Sequence, residues 1–193
     1  MDENENILLF KENLYAWRSL ASKNTKWKFN EPLHIFLNAM SILSSQMSSP
    51  RIEAYIINHL GLNKSKNLDK GDMIDNNGNY HEFKFSAITS TNKNLNLRQL
   101  RDWQGTDYIF CVSNLLEKNP TCQFFFLSKQ DMTKENEIIA GSATHGTTTA
   151  NSNNKNIENS KTININSDHY KRWVNLYGIS LNDLKIKLNG NIE

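Results

Sequence analysis

The sequence predicts an α/β protein in which helices flank a mixed central β-sheet. Apolar residues recur at helical spacing within residues 5–60. After residue 70 the period changes to two on either side of an Asn77-Gly78 pair, which is a strong signal for a β-hairpin. Further apolar strand segments then alternate with helical segments, an order typical of a sheet covered by helices.

Two helices are expected before residue 48. Residues 5–20 predict an amphipathic helix, and its apolar stripe consists of Ile7, Phe10, Leu14, Trp17 and Leu20. A second helix is predicted to begin near Pro32 and to run to Leu43. Its apolar positions are Ile35, Phe36, Ala39, Met40 and Leu43.

A third helix has the clearest boundaries in the sequence. Ser49 suits the N-cap, Pro50 suits the first helical position and Gly61 suits the C-terminal cap. The apolar stripe between these boundaries is formed by Ile52, Tyr55, Ile56 and Leu60. We therefore expect a helix that starts at Pro50 and presents one face to the core.

The remainder of the chain predicts strands, helices and one polar loop. "DMID" and "YHEFKFSA" predict the two strands of the hairpin, and "DYIFCVSNL" and "CQFFFLS" predict strands covered on both faces. "LRQLRDW" and "SKQDMTKENEIIA" predict helices, as do 168–177, ended by Gly178, and 180–189. Residues 141–163 are rich in Asn, Thr and Ser and predict a long polar loop.

Length and composition predict a single domain. The chain has 193 residues and a net charge of +2, which does not by itself indicate a nucleic-acid partner. No apolar run is long enough for a transmembrane helix, and the first residues lack the features of a signal peptide. Cys111 and Cys122 lie in apolar segments, so we expect buried free thiols and a protein of the reducing cytoplasm, with no membrane partner.

The stretch "KGDMIDNNGNYHEFKFS" places charged residues where a strand should be buried. Alternation puts Glu82 and Lys84 on one face of the strand and Phe83 on the core face. The hairpin can bring Asp72 beside Glu82, and the repulsion between two close carboxylates requires a compensating proton, cation or the Lys84 ammonium. Mg²⁺ is bound in this way, by one or two carboxylates together with waters and phosphate oxygens.

Ordinary structural roles explain each of these residues separately. A Glu-x-Lys pair is common on solvated strand faces, and an Asp after Gly is usually a turn residue. The combination of Gly71-Asp72, a hairpin and Glu82-Phe83-Lys84, with Glu53 on the preceding helix, is more specific than any one of them.

This combination resembles the PD-(D/E)XK nuclease superfamily and, within it, the small type II restriction endonucleases. Asp72 matches the first acid of the family motif, and Glu82-Phe83-Lys84 matches its (D/E)-x-K half. Gly71 stands where the family has proline, a substitution that many restriction enzymes tolerate. The resemblance covers residues 49–150, and its specific part is confined to 49–114. It implies a restriction-endonuclease-like core, Mg²⁺ dependence and hydrolysis of phosphodiester bonds.

The resemblance also implies roles for single residues. Asp72 and Glu82 would be metal ligands, with the Phe83 carbonyl as a third, and Lys84 would orient or activate water. Glu53 would be an outer ligand or would hold a water, and a plain solvated helix acid is the alternative. Predicted DNA contacts come from two segments, the one after the hairpin and a His-Gly loop, and are Gln99, Arg101, His145, Gly146 and Thr147. A surface helix and an ordinary polar loop are the alternatives there.

The expected function is a Mg²⁺-dependent type II restriction endonuclease that cleaves double-stranded DNA at a short sequence. A homodimer and a companion DNA methyltransferase are the expected partners, since a two-fold protein matches a palindromic site. The alternatives are a catalytically inactive or regulatory nucleic-acid-binding module of the same fold, and a repair or mobile-element nuclease. Within residues 1–193 we expect N-terminal helices (1–48), a catalytic core (49–130), the DNA-contacting polar loop (141–163) and C-terminal helices (164–193).

Overall fold

A computed structural model describes residues 32–41, 45–67, 70–90, 93–100, 106–138 and 159–190. The predicted helix at residues 5–20 lies outside the described residues, as does Leu43 at the predicted end of the second helix. Within the described part, the chain is an α/β protein with a mixed six-stranded sheet flanked by helices, and a separate two-stranded ribbon. The coarse fold class predicted from the sequence is therefore confirmed.

Two helices precede the sheet in the part of the chain that the structure describes. Helix α1 spans Leu33–Met40, directly after Pro32. Helix α2 spans Ser45–Leu60 and is followed by Gly61, whose φ of +74° suits a residue without a side chain at a helix end. The predicted start of this helix is wrong, because Pro50 lies inside α2. Proline destabilises a helix unless it lies in the first turn, because it lacks a backbone N–H group. Burial of the apolar face of α2 has to offset this loss at Pro50.

The main sheet has the strand order β1-β2-β3-β5-β6-β8. Its members, in chain order, are β1 (Asn63–Lys64), β2 (Met73–Ile74), β3 (Tyr80–Ile88), β5 (Asp107–Asn114), β6 (Cys122–Leu127) and β8 (Gly178–Ile179). Strands β3 and β5 are parallel, and every other neighbouring pair is antiparallel. The predicted hairpin between β2 and β3 and the two apolar strands β5 and β6 are confirmed.

Each face of the sheet has its own apolar core. One core joins Phe83, Ile109, Cys111 and Phe124 of the sheet to α1, α2 and the last helix, α5 (Leu181–Asn189). The other core lies on the opposite face. It contains Ile88, Tyr108, Phe110, Val112 and Phe125 of the sheet, with Trp173 of helix α4 (Asp168–Tyr177). The strands are buried on both faces because both sets of alternating side chains have partners.

A two-stranded ribbon covers part of the second face. Strand β4 (Leu95–Leu100) pairs antiparallel with β7 (Asn159–Ile163). The helix predicted for "LRQLRDW" is therefore wrong over Leu97–Leu100, and the polar loop predicted to extend to Ile163 ends before Asn159. The alternation of Leu95 and Leu97, both buried, is the strand signal, and the pairing with a segment more than 50 residues away supplies its hydrogen bonds.

The remaining helices agree with the sequence. Helix α3 spans Lys129–Ile138, and α4 ends at Gly178 as expected. The side chain of Ser167 accepts a hydrogen bond from the backbone of Tyr170 at the start of α4. Cys111 and Cys122 are free thiols, as expected, but only Cys111 is buried, and Cys122 is half-buried. Among the described residues, no helix is long and apolar enough to cross a membrane.

Candidate active site

A tight turn fixes the hairpin that carries most of the candidate residues. The Asp75 carboxylate accepts hydrogen bonds from the backbone N–H groups of Asn77 and Asn79, at 2.8 and 2.9 Å, and from the Asn79 side chain at 3.0 Å. Gly78 has a φ of +83°, which glycine adopts without strain. These contacts set the register of β2 against β3, and with it the position of Asp72.

Asp72 is held against β3 directly before the start of β2. Its backbone N–H donates to the carbonyl of His81 at 2.9 Å, and its side-chain Oδ2 accepts from the backbone N–H of Phe83 at 2.9 Å. The Asp72 carboxylate thus accepts the hydrogen bond of β3 that a backbone carbonyl of a longer β2 would accept. The register of the two strands places Asp72 beside Glu82. Gly71 passes so close that a Cβ there would lie 2.7 Å from the His81 carbonyl oxygen, and its φ is +146°. Proline cannot adopt this φ, which explains why glycine occupies the position.

Glu82 and Lys84 project from β3 on the face opposite Phe83, as the alternation predicts. Glu82 Oε1 and the Lys84 ammonium form a close hydrogen-bonded ion pair. The Glu82 side chain is only 2% exposed and that of Lys84 14%, so the pair belongs to the interior and not to a solvated strand face. A buried carboxylate without a cation would carry a large desolvation penalty, and Lys84 supplies the cation.

Glu53 approaches the same place from α2. Its side chain is 17% exposed, and Lys64 Nζ of the edge strand β1 lies 3.0 Å from Oε1, although that buried oxygen has no hydrogen bond of good geometry. Burial and the neighbouring Asp72 carboxylate raise the pKa of Glu53, while the ammonium groups of Lys64 and Lys84 oppose this shift. The pattern places two acids and two cations within electrostatic reach of each other.

The oxygen atoms of this site suit a hard divalent cation that takes only a few of its ligands from the protein. Within the described ranges, no group of three or more His, Cys, Asp and Glu side chains is arranged to hold a metal ion. Mg²⁺, however, needs only one or two carboxylates, because waters and phosphate oxygens complete its shell. The Phe83 N–H points toward Asp72, and in a β-strand the carbonyl of the same residue points to the same side. Asp72, Glu82 and the Phe83 carbonyl are therefore suitable ligands.

A buried histidine behind the site was missed by the sequence analysis. His81 Nε2 lies 3.0 Å from Asp75 Oδ2, and Nδ1 lies 4.0 Å from Asp107 Oδ2 on β5. Asp107 Oδ1 in turn accepts from the backbone N–H of Lys129 at the start of α3, at 2.8 Å. His81 is thus hydrogen-bonded to the hairpin turn through Nε2, while its buried Nδ1 has no hydrogen-bond partner among the described residues. An Asp three residues before a Gly in a hairpin was the available signal, since Asp side chains commonly cap such turns.

The predicted DNA contacts are placed only in part. Gln99 lies in strand β4 of the ribbon and not in the helix predicted for it. Arg101 and the segment containing His145, Gly146 and Thr147 lie outside the described residues. Leu100 pairs with Asn159 at one end of the ribbon. These contacts stay predictions.

Comparisons with known proteins add no family: no protein-family model matches the sequence, and no curated protein is significantly similar to it.

Proposed function

We propose that this protein is a Mg²⁺-dependent endonuclease of double-stranded DNA with a restriction-endonuclease-like core, of the PD-(D/E)XK superfamily and the type II restriction class. One observation carries the proposal. The hydrogen bond from the Phe83 N–H to Asp72 Oδ2 holds an acid from one strand beside the Glu82-x-Lys84 pair of the next. Neither the hairpin nor the core requires this cluster of charges, which points to a chemical role.

The charges favour hydrolysis of a phosphodiester. Bound at Asp72, Glu82 and the Phe83 carbonyl, Mg²⁺ would supply positive charge to the phosphate and lower the pKa of an attacking water. Lys84 is fixed by Glu82, so its ammonium is preorganised to orient that water or to stabilise the charge that develops on the phosphate. Glu53, whose pKa is raised by burial and by Asp72, is placed to hold a water at the rim.

Strand β2 is much shorter than its neighbour β3. Strand β2 pairs with β3 only at Tyr80 and His81, while β3 continues to Ile88. The carboxylates therefore lie where one strand of the sheet stops and the next continues. A DNA backbone could approach at this edge without displacing a paired strand.

A catalytically inactive DNA-binding module of the same fold is the second candidate. The observation that favours it is the burial of Glu82, because a 2% exposed carboxylate paired with Lys84 is also what a purely structural ion pair would look like. A repair or mobile-element nuclease would share the chemistry and differ in its substrate.

Cleavage of mixed-sequence duplex DNA tests the proposal. Purified protein is incubated with plasmid and genomic DNA in Mg²⁺ or in EDTA, and the ends are sequenced. We expect double-strand ends that share a short sequence, formed only with Mg²⁺. Scattered ends would favour a nuclease of another biological role. DNA binding without cleavage would favour the inactive module, and unchanged cleavage in EDTA would refute the proposed chemistry.

A further inference from the structure

The unusual partner in the site is Lys64. It lies in β1, the edge strand of the sheet, opposite Met73 of β2. Its ammonium lies 3.0 Å from Glu53 Oε1, while its side chain is 59% exposed. The next residue, Ser65, donates its backbone N–H to the Asp72 carbonyl at 2.8 Å. The base of the Lys64 side chain is therefore fixed to the strand that carries Asp72, and its ammonium end is accessible to solvent.

The two lysines of the site differ in their freedom to move. Lys84 is 14% exposed and is committed to the buried Glu82. The Lys64 side chain is 59% exposed at the edge of the sheet, and its ammonium lies 3.0 Å from Glu53 Oε1. A lysine is a flexible point charge that can exchange one anion for another at small cost. Of the two lysines, Lys64 is therefore the one that can leave its carboxylate partner.

The charges of the site change when substrate arrives. At formal charges, Glu53, Asp72 and Glu82 contribute −3 and Lys64 and Lys84 contribute +2, so the sum without metal is 2 − 3 = −1. A Mg²⁺ ion brings +2 and a DNA phosphate brings −1. A lysine beside Glu53 repels the incoming cation but is attracted to the incoming phosphate, so both changes favour its transfer to DNA.

We propose that Lys64 is an exchangeable positioning residue, which pairs with Glu53 in the DNA-free protein and contacts a backbone phosphate when DNA occupies the site, with or without Mg²⁺. In the free protein it neutralises Glu53 and competes with a divalent cation. In the complex it aligns the DNA backbone with the site and leaves Glu53 available to the metal shell. This inference rests on the proposed endonuclease function and assigns to it a residue that the family motif does not include.

Lys64→Gln and Lys66→Gln separate this role from a general loss of charge. Lys66 is exposed on the same edge of the sheet two residues away, so its substitution is a matched control. The first measurement is DNA binding in EDTA at several salt concentrations. Each phosphate contact contributes about 0.9 to the slope of log affinity against log salt, so we expect Lys64→Gln to reduce the slope by about that amount and Lys66→Gln to leave it unchanged.

The second measurement is Mg²⁺ binding to DNA-free protein by isothermal titration calorimetry. Removal of the competing ammonium should lower the half-saturating Mg²⁺ concentration of Lys64→Gln about three- to tenfold relative to wild type, and Lys66→Gln should match wild type. The inference is overturned if the two variants behave alike, or if only one of the two properties changes in Lys64→Gln. If wild-type protein cleaves DNA and the variants behave alike, only this inference fails. If wild-type protein does not cleave DNA, the proposed function itself fails.

Discussion

Replacing Asp75 by Asn should weaken the hairpin that positions Asp72, and should do so in a pH-dependent manner. Asp75 accepts four hydrogen bonds, two of them from backbone N–H groups of the turn and one from the buried His81 ring. Burial alone would raise the pKa of Asp75, but the hydrogen bonds from His81, Asn79 and Asn77 outweigh it and lower the pKa. The carboxylate is therefore more strongly stabilised in the folded than in the unfolded protein.

The magnitude follows from which donors lose their partner. The turn residues Asn77 and Asn79 are exposed, so water replaces the lost acceptor at small cost. His81 is 3% exposed, and a buried donor left without a charged acceptor costs about 1–3 kcal/mol. We expect Asp75→Asn to lower the free energy of unfolding by about 2 kcal/mol at pH 7. Because the folded pKa lies below the unfolded value of about 3.9, this stabilisation is present above pH ~4 and is lost as the pH falls through the folded pKa.

Urea unfolding of wild type and Asp75→Asn at pH 7 and at pH 3 measures this difference. The gap between the two proteins should be largest at pH 7 and should shrink at pH 3. Asp168→Asn is the control, because the Asp168 side chain is 98% exposed. A gap that is the same at both pH values would refute the reasoning, since it would show that the charge of Asp75 does not contribute to stability.

Two further substitutions test the geometry around Asp72. Gly71→Ala should lower the free energy of unfolding by at least ~2 kcal/mol, because the new Cβ would meet the His81 carbonyl in a strained backbone conformation. Gly78 also has a positive φ but has open space around it, so Gly78→Ala should cost only about 1 kcal/mol. Equal losses in urea unfolding would contradict the close approach at Gly71. Asp72→Asn should reduce Mg²⁺-dependent cleavage by orders of magnitude. DNA binding in EDTA should stay at least as tight as in wild type, because the substitution removes an anion that faces phosphate. A parallel loss of binding and cleavage would assign Asp72 to folding instead of chemistry.

Local signals in the sequence predicted the hairpin and the C-terminal end of α2 correctly. Gly78 of the Asn77-Gly78 pair adopts the left-handed conformation that such a turn needs, and Gly61 does the same at the end of α2. Alternation likewise placed Glu82 and Lys84 on one face of β3 and Phe83 on the other. These features depend on covalent geometry and on contacts within a few residues, which a single sequence contains.

The errors involve contacts between distant parts of the chain. The sequence of strand β4 predicts a helix because Leu97 and Leu100 also suit helical spacing, and its pairing with β7 is not visible from either segment alone. Helix α2 begins before Pro50, which requires burial of its apolar face to offset the backbone hydrogen bond that proline cannot donate. The contact between Lys64 and Glu53 requires the edge strand to lie beside α2, and no local pattern predicts it. The resemblance to nucleases located the acids but not the cation at the rim.

The most direct test of the central claim is single-turnover cleavage of duplex DNA by Lys84→Ala, measured beside its DNA binding. The account predicts that cleavage with Mg²⁺ falls by orders of magnitude while DNA affinity remains close to wild type, because the Lys84 ammonium acts on charge that develops in the transition state. Lys185→Ala, an exposed lysine on α5, should cleave like wild type. Cleavage by Lys84→Ala at a near wild-type rate would contradict the account and would leave Glu82 and Lys84 as a structural ion pair.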